Sequence, residues 1–219
     1  MNNNPDNIKK TAHFYGVDYF DAETSTIVES RPDDLYHFKT FIGSNHITVE
    51  KGDSLFYLSE DKTTAHIKCG PDSTTSQHIA TIIRGYTPEE KSSTITKKTS
   101  LPYVNGCSTK QIFPPERPGD PTLQLLDIPP YSSEQAHHIH STARVVYILS
   151  GTGNCIVGMG ENCITEELHP GKSLILQKMC PHHFETDGDH LLVLPLHIFS
   201  SVGNLENNHP MYHGTYLTG

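Results

Sequence analysis

The stretch that decides the expected fold runs from His137 to Gly151 and reads HHIHSTARVVYILSG. It sets two histidines one residue apart at the start of an apolar, β-prone run that ends in glycine. Because successive side chains of a β-strand face opposite ways, His138 and His140 are expected to share one face. Two imidazoles on one face supply half of a metal site, which a third histidine from a later strand could complete.

A second histidine-bearing segment follows further along the chain. Pro170-Gly171 leads into an apolar run over residues 173–176, and Pro181-His182-His183-Phe184 comes next. Together the two segments resemble the two motifs of the cupin superfamily. The first motif has two histidines separated by one residue, then the position of a fourth metal ligand, and then a glycine. The second motif has Pro-Gly followed by a strand and a histidine. The resemblance covers residues 108–200 and implies an all-β, cupin jelly-roll barrel.

Short β-prone runs separated by turn residues also fill the N-terminal half, a pattern typical of a sandwich or barrel. We therefore predict four regions, which are a disordered N-terminus (1–10), an N-terminal β region (11–107), the cupin barrel (108–200) and a tail that packs on a barrel or a partner (201–219). The β region contains Lys51-Gly52-Asp53, which resembles the turn of the second cupin motif, but no His-x-His precedes it. It is either a degenerate cupin barrel without metal, which would make the chain a bicupin, or a β extension.

The cupin resemblance assigns the metal ligands to His138, His140 and His182. Imidazole nitrogens suit several divalent metals, so Zn, Ni and Mn stay open beside the favoured Fe(II). The competing interpretation is that these are core histidines of a barrel that has lost its metal.

Arg144 stands where cupins usually place a glutamate as the fourth metal ligand. A guanidinium cannot ligate a cation. By strand alternation, Arg144 should share the face of His138 and His140, and two roles are open. It is either a catalytic-site anchor for the anionic group of a substrate, or it pairs with a protein carboxylate such as Asp127 or Glu134.

Several other residues near the two motifs are weaker candidates for the site. Gln124 and Tyr131 are candidate polar groups of the pocket. His190, His197 and Cys180 are minority candidates, whereas the neighbours of the ligand histidines are expected to point outward, and these are His137 and His183.

The resemblance favours an oxidoreductase. Three-histidine iron centres without the glutamate occur among cupin dioxygenases of thiol acids, diketones and hydroxylated aromatic acids, and by this resemblance a small anionic substrate is expected. The alternatives are a metal-dependent lyase or isomerase, a non-catalytic ligand- or metal-binding module, and a metal-free epimerase that resembles sugar-nucleotide cupins and uses His138 or His140 as general base.

The composition bounds the partners of the chain. A formal net charge of −9, with scattered basic residues, disfavours nucleic-acid binding. No apolar run approaches the roughly 18 residues needed to span a bilayer, so no membrane partner is expected. Five cysteines without a CxxC pair favour a reduced, cytoplasmic chain, although a disulfide between Cys155 and Cys163 stays open. The resemblance also implies a homodimer, because cupins commonly pair.

Overall fold

The computed structural model describes residues 5–34, 36–117, 119–198 and 215–217. The chain divides into two compact units, which we call the larger unit (Met1–Tyr19 and Lys98–Gly219) and the smaller unit (Phe20–Lys97). Within the described ranges, the helix and strands in chain order are α1 (Pro5–Tyr15), β1 (Val17–Phe20), β2 (Thr26–Glu29), β3 (Phe38–Ile42), β4 (Asn45–Val49), β5 (Asp53–Leu58), β6 (Thr64–Cys69), β7 (Asp72–Ser76), β8 (Ile79–Arg84), β9 (Lys91–Thr94), β10 (Leu101–Pro102), β11 (Ser108–Phe113), β12 (Thr122–Ile128), β13 (His138–His140), β14 (Arg144–Gly151), β15 (Gly153–Val157), β16 (Ile164–Leu168), β17 (Ser173–Leu176), β18 (His182–Glu185), β19 (Leu191–His197) and β20 (Thr215–Leu217).

The larger unit is built from two sheets. One has the strand order β1-β17-β14-β19-β12-β11-β10, and the other has the order β16-β15-β18-β13-β20. Alternate residues of each sheet contribute to one apolar core, among them Leu126 of β12, Val146 of β14 and Phe184 of β18. Because the side chains of a strand alternate between its two faces, these residues lie on the inner faces, where the two sheets pack against each other. The predicted all-β jelly-roll fold is confirmed.

Gly151 ends β14 at a place where no other residue fits without rearrangement. Its φ is +80°, in the left-handed region, and a Cβ there would lie 1.8 Å from the carbonyl oxygen of His190. Glycine alone meets both requirements, because it lacks a Cβ and tolerates positive φ. The glycine of the first motif is therefore required sterically, because it lets β14 turn towards β15 close to the start of β19.

The smaller unit is also β throughout its described residues. Its strands form one sheet in the order β2-β3-β8-β5-β6-β9 and a two-strand pair, β4-β7. The core packs Ile47 and Val49 of β4 with Leu55 of β5 and Phe41 of β3. In the described residues, the strand pairings within these sheets are antiparallel, as expected for short strands joined by turns.

The structure differs from the sequence prediction at the N-terminus. Residues 1–10 were expected to be disordered, whereas α1 begins at Pro5 and extends to Tyr15. Ala12 is buried in the core of the larger unit, and Tyr15 packs against that core. A short polar helix is marginal in isolation, so this tertiary packing accounts for a helix that periodicity did not reveal.

The C-terminal tail is described only at Thr215–Leu217, which form β20 and pair with β13. The rest of the region 201–219 lies outside the described residues. All five cysteines are free thiols, including Cys155 and Cys163, so the disulfide left open above is not formed. No helix in the described ranges has both the length and the apolar character needed to cross a membrane.

Candidate metal centre

The structure brings His138, His140 and His182 together in the interior of the larger unit. His138 and His140 lie on β13, and His182 lies directly opposite His138 on the neighbouring strand β18. One ring nitrogen from each residue lies within 4.8 Å of the others. The three side chains are 0%, 5% and 2% exposed. In the part of the chain that the structure describes, these three histidines form the cluster of ligand-type side chains that could hold a metal ion.

Backbone carbonyls orient two of these rings. Nδ1–H of His138 donates to the carbonyl of Ala136 at 2.9 Å, and Nδ1–H of His182 donates to that of Cys180 at 2.8 Å. Because a carbonyl can only accept, these bonds place the proton on Nδ1 and leave the lone pair on Nε2. The Nε2 atoms of His138 and His140 are 3.1 Å apart. This arrangement is the one that a metal ion requires of its imidazole ligands.

Burial keeps the three imidazoles neutral. It lowers the pKa of His138 to about 4 and the pKa values of His140 and His182 well below the ordinary value. The charge of Arg144 lowers each of these pKa values further. Neutral imidazole is the ligand form, so the donor set fits a divalent transition metal.

Arg144 reaches the site from the sheet opposite the histidines. The sequence prediction that Arg144 lies on the same strand as His138 and His140 is therefore wrong. The stretch from His138 onward is two strands, β13 and β14, and these belong to different sheets. The chain bends between them at Ser141–Ala143 as it crosses the edge of the barrel. Arg144 has the same parity as the core residue Val146, so its side chain starts on the inner face opposite the histidines.

One edge of the Arg144 guanidinium is held and the other is open. Nη1 donates to the carbonyls of Thr142 at 3.2 Å and Ala143 at 3.3 Å and to the Thr142 hydroxyl. Within the described residues, Nε and Nη2 have no hydrogen-bond partner, although the side chain is buried. Burial lowers the pKa of Arg144 to about 9, against an opposing effect of Glu134. The predicted pairing with Asp127 or Glu134 is therefore not made as a hydrogen bond in the described part of the chain.

Glu134 is a buried carboxyl beside the cluster that sequence reasoning weighed only as a partner for Arg144. Its Oε1 lies 3.8 Å from Nε2 of His138 and accepts a hydrogen bond from the backbone N–H of Phe184 at 3.3 Å. Burial raises its pKa to about 8. The residue lies in a loop before β13, outside both motifs, so no spacing rule pointed to it.

The weaker candidate residues for the site differ in how deeply the structure buries them. Gln124 is fully buried on the inner face of β12, and both of its amide atoms lack a hydrogen-bond partner among the described residues. Tyr131 is 83% exposed and lines a surface groove of about 550 Å³, so it lies outside the barrel interior. His197 is buried, and its ring centroid lies 6.4 Å from that of His140. His190 is half-buried beside Asp189.

Cys180 and the outward-facing histidines have structural contacts. Cys180 is buried and contributes its carbonyl to the hydrogen bond with His182. His137 and His183 contact each other with Nδ1 atoms 2.8 Å apart. Their alternation with the inward His138 and His182 places this pair on the outer face, as the strand period predicts.

Comparisons with known proteins agree with this fold. Residues 124–199 match the family model described as "Cupin domain". Among solved structures, a protein described as glyoxylate-induced from Pseudomonas aeruginosa is 11% identical, with a TM-score of 0.57, and the match covers 83% of this chain and 88% of that one. The family match therefore assigns residues 124–199 to a cupin domain, and the two-sheet fold of the larger unit agrees with that assignment.

Two further structures are similar at lower scores. The polyketide cyclase RemF from Streptomyces resistomycificus is 19% identical over 44% of this chain and 68% of its own, with a TM-score of 0.38. An oxalate decarboxylase from Lactobacillus farciminis, in a formate complex, is 8% identical over 82% of this chain and 85% of its own, with a TM-score of 0.47. No curated protein matches the chain.

Proposed function

We propose that the larger unit is a metal-dependent enzyme, an oxidoreductase of the dioxygenase-like type, that acts on a small anionic organic substrate. The observation that supports this proposal is the convergence of three buried imidazoles, with one nitrogen of each within 4.8 Å of the others. Three neutral imidazoles that present ring nitrogens to one buried point form a donor set that fits a divalent cation. His138, His140 and His182 are the proposed ligands.

The proposed metal is Fe(II), with Zn, Ni and Mn as alternatives. Three protein ligands leave coordination positions open, and a metal bound there would supply Lewis-acid or redox chemistry to a substrate. The preference for iron comes from the resemblance to three-histidine dioxygenases.

Arg144 is the proposed substrate anchor. Its Nε and Nη2 are buried donors without a partner in the described residues, and they lie on the inner face opposite the histidines. A substrate carboxylate would accept from both donors and would be fixed in orientation beside the cluster. The apolar core on the same inner faces limits water around it. These features favour a small organic acid.

The remaining assignments are proposals of the same kind. We assign the catalytic barrel to residues 108–200 and interpret the smaller unit as a degenerate cupin barrel, since its described residues contain no three-ligand cluster. The free state of all five cysteines suits a reducing, cytoplasmic environment. A homodimer is carried over from the cupin resemblance.

A non-catalytic binding module is the second candidate, and one observation favours it. Arg144 puts a permanent positive charge opposite the place of the cation and lowers the pKa of every histidine there. If no metal binds, the Nε–Nη2 edge of Arg144 would hold an anion alone. A lyase or isomerase is the corresponding alternative if the bound metal is not iron.

Metal analysis tests the proposal. The protein is purified without added metal, reconstituted with Fe(II), and compared with His140→Ala and with His46→Ala, which alters an exposed histidine of the smaller unit. We expect stoichiometric metal in the wild type and in His46→Ala, and none in His140→Ala. Oxygen consumption with a set of small carboxylic acids should follow the metal content.

The outcomes separate the candidates. Iron with oxygen consumption supports the oxidoreductase, whereas zinc or nickel without it favours the lyase or isomerase. A wild-type protein that binds no metal after reconstitution, or a His140→Ala variant that keeps full metal and activity, contradicts the proposed enzyme and leaves the binding module.

A further inference from the structure

A buried positive charge faces the place where a second positive charge is expected. Arg144 is 2% exposed, and its charge acts on each of the three histidines that form the cluster. Charges of the same sign repel strongly where water is excluded. A divalent cation at the histidines would therefore be destabilised by Arg144 unless a negative charge pairs directly with the guanidinium.

The guanidinium is arranged to accept such a negative charge. Its Nη1 is fixed by the carbonyls of Thr142 and Ala143, which holds the plane of the group. The two nitrogens without partners among the described residues, Nε and Nη2, share the opposite edge. Two parallel N–H donors on one edge match the two oxygens of a carboxylate. A lysine at this position would offer no such edge.

The nearby protein carboxyl does not occupy this edge. Glu134 lies 3.8 Å from His138 and takes the backbone N–H of Phe184. It makes no hydrogen bond or ion pair with Arg144 in the part of the chain that the structure describes. Among the described residues, no carboxylate therefore occupies the Nε–Nη2 edge of Arg144, and a bound carboxylate is the group that fits it.

We propose that a small carboxylate bound to the Nε–Nη2 edge of Arg144 raises the affinity of the His138–His140–His182 cluster for a divalent metal, so that metal and carboxylate bind cooperatively. This inference rests on the proposed function, because it requires a metal at the histidines. The carboxylate neutralises Arg144 and removes the repulsion that the metal would otherwise meet. By linkage, the metal raises carboxylate affinity by the same factor. The enzyme would thus hold its metal tightly when its acidic substrate is present.

Calorimetric titration with Zn(II), a metal without redox chemistry, tests the coupling. The full chain, freed of metal, is titrated in sodium chloride and in sodium acetate at equal ionic strength. Wild type is compared with Arg144→Gln, with His140→Ala to identify binding at the cluster, and with Arg31→Gln, which removes a positive charge from an exposed position of the smaller unit. Zinc–acetate association in solution affects all of these proteins equally and cancels in the comparison.

We expect acetate to raise the zinc affinity of the wild type and of Arg31→Gln by about 5- to 150-fold. Arg144→Gln should bind zinc more tightly than wild type in chloride and gain nothing from acetate. If Arg144→Gln does not fold, the wild type alone decides the matter, since zinc must raise its acetate affinity by the same factor.

Equal zinc affinity of the wild type in both salts overturns the coupling while leaving the metal site in place. An acetate gain that persists in Arg144→Gln overturns it as well, because the anion would then act elsewhere. Absence of cluster-specific zinc binding in both salts removes the metal site itself, and the proposed function fails with it.

Discussion

Replacing Arg144 by methionine is expected to stabilise the protein when metal and carboxylate are absent. Two buried donors, Nε and Nη2, lack partners among the described residues, and each such group costs about 1–3 kcal/mol. Methionine fills a similar volume with a flexible apolar chain. The change also loses three Nη1 bonds, to the carbonyls of Thr142 and Ala143 and to the Thr142 hydroxyl, each contributing about 0.5–1.5 kcal/mol. The balance is a gain of about 0.5–1.5 kcal/mol, with the sign found when buried charges are replaced by apolar groups.

Scanning calorimetry in a chelating buffer free of carboxylates measures this gain. For a chain of this size each kcal/mol moves Tm by about 2–4 °C, so Arg144→Met should melt about 1–6 °C higher than the wild type. Arg117→Met is the control, because Arg117 is 76% exposed and pairs with Asp120 at 3.2 Å. That substitution should change stability by less than about 1 kcal/mol. A Tm of Arg144→Met equal to or below that of the wild type would refute the reasoning, since it would mean that the buried guanidinium is fully satisfied.

Three more predictions concern the interior of the larger unit. The cluster histidines bind fewer protons folded than unfolded, whereas Glu134 binds more. The metal-free protein should therefore lose stability as pH falls below about 6.5, by up to about 3 kcal/mol per pH unit, and His140→Gln should reduce that slope by about 1.4 kcal/mol per pH unit in urea titrations at several pH values. Gly151→Ala should lower the free energy of unfolding by about 1–3 kcal/mol more than Gly160→Ala does, as measured by circular dichroism melts. Both positions have positive φ, but only at Gly151 would the added Cβ meet a backbone atom. Equal losses in the two variants would contradict the predicted clash. Gln124→Leu should raise stability by about 1–3 kcal/mol, since it removes two buried amide atoms without partners in the described residues; a lower Tm would show that those atoms are paired.

The alternation of side chains along a strand was enough to predict that His138 and His140 share a face. It was not enough to bring His182 opposite His138, because cross-strand register depends on contacts between segments far apart in the chain. The family spacing supplied that information. The same alternation gave a wrong account of how Arg144 reaches the site, since the bend between β13 and β14 transfers it to the opposite sheet.

Other features depend on tertiary contacts that no local pattern records. Glu134 reaches the cluster from a loop outside both motifs. Helix α1 is polar and short, and its buried residue Ala12 contributes little to any periodicity. The open edge of Arg144 follows from where Thr142 and Ala143 place their carbonyls, which depends on the local bend rather than on residue type.

Strand β13 has consequences for protein engineering. It is three residues long and carries two of the proposed ligands, and its outer neighbour in the sheet is β20, formed by Thr215–Leu217. Shortening the chain before Thr215 would therefore uncover the hydrogen-bonding groups of a ligand-bearing strand. Affinity tags and fluorescent fusions are better attached away from that strand, and a peptide designed to replace β20 would have to supply the same backbone pairing to β13.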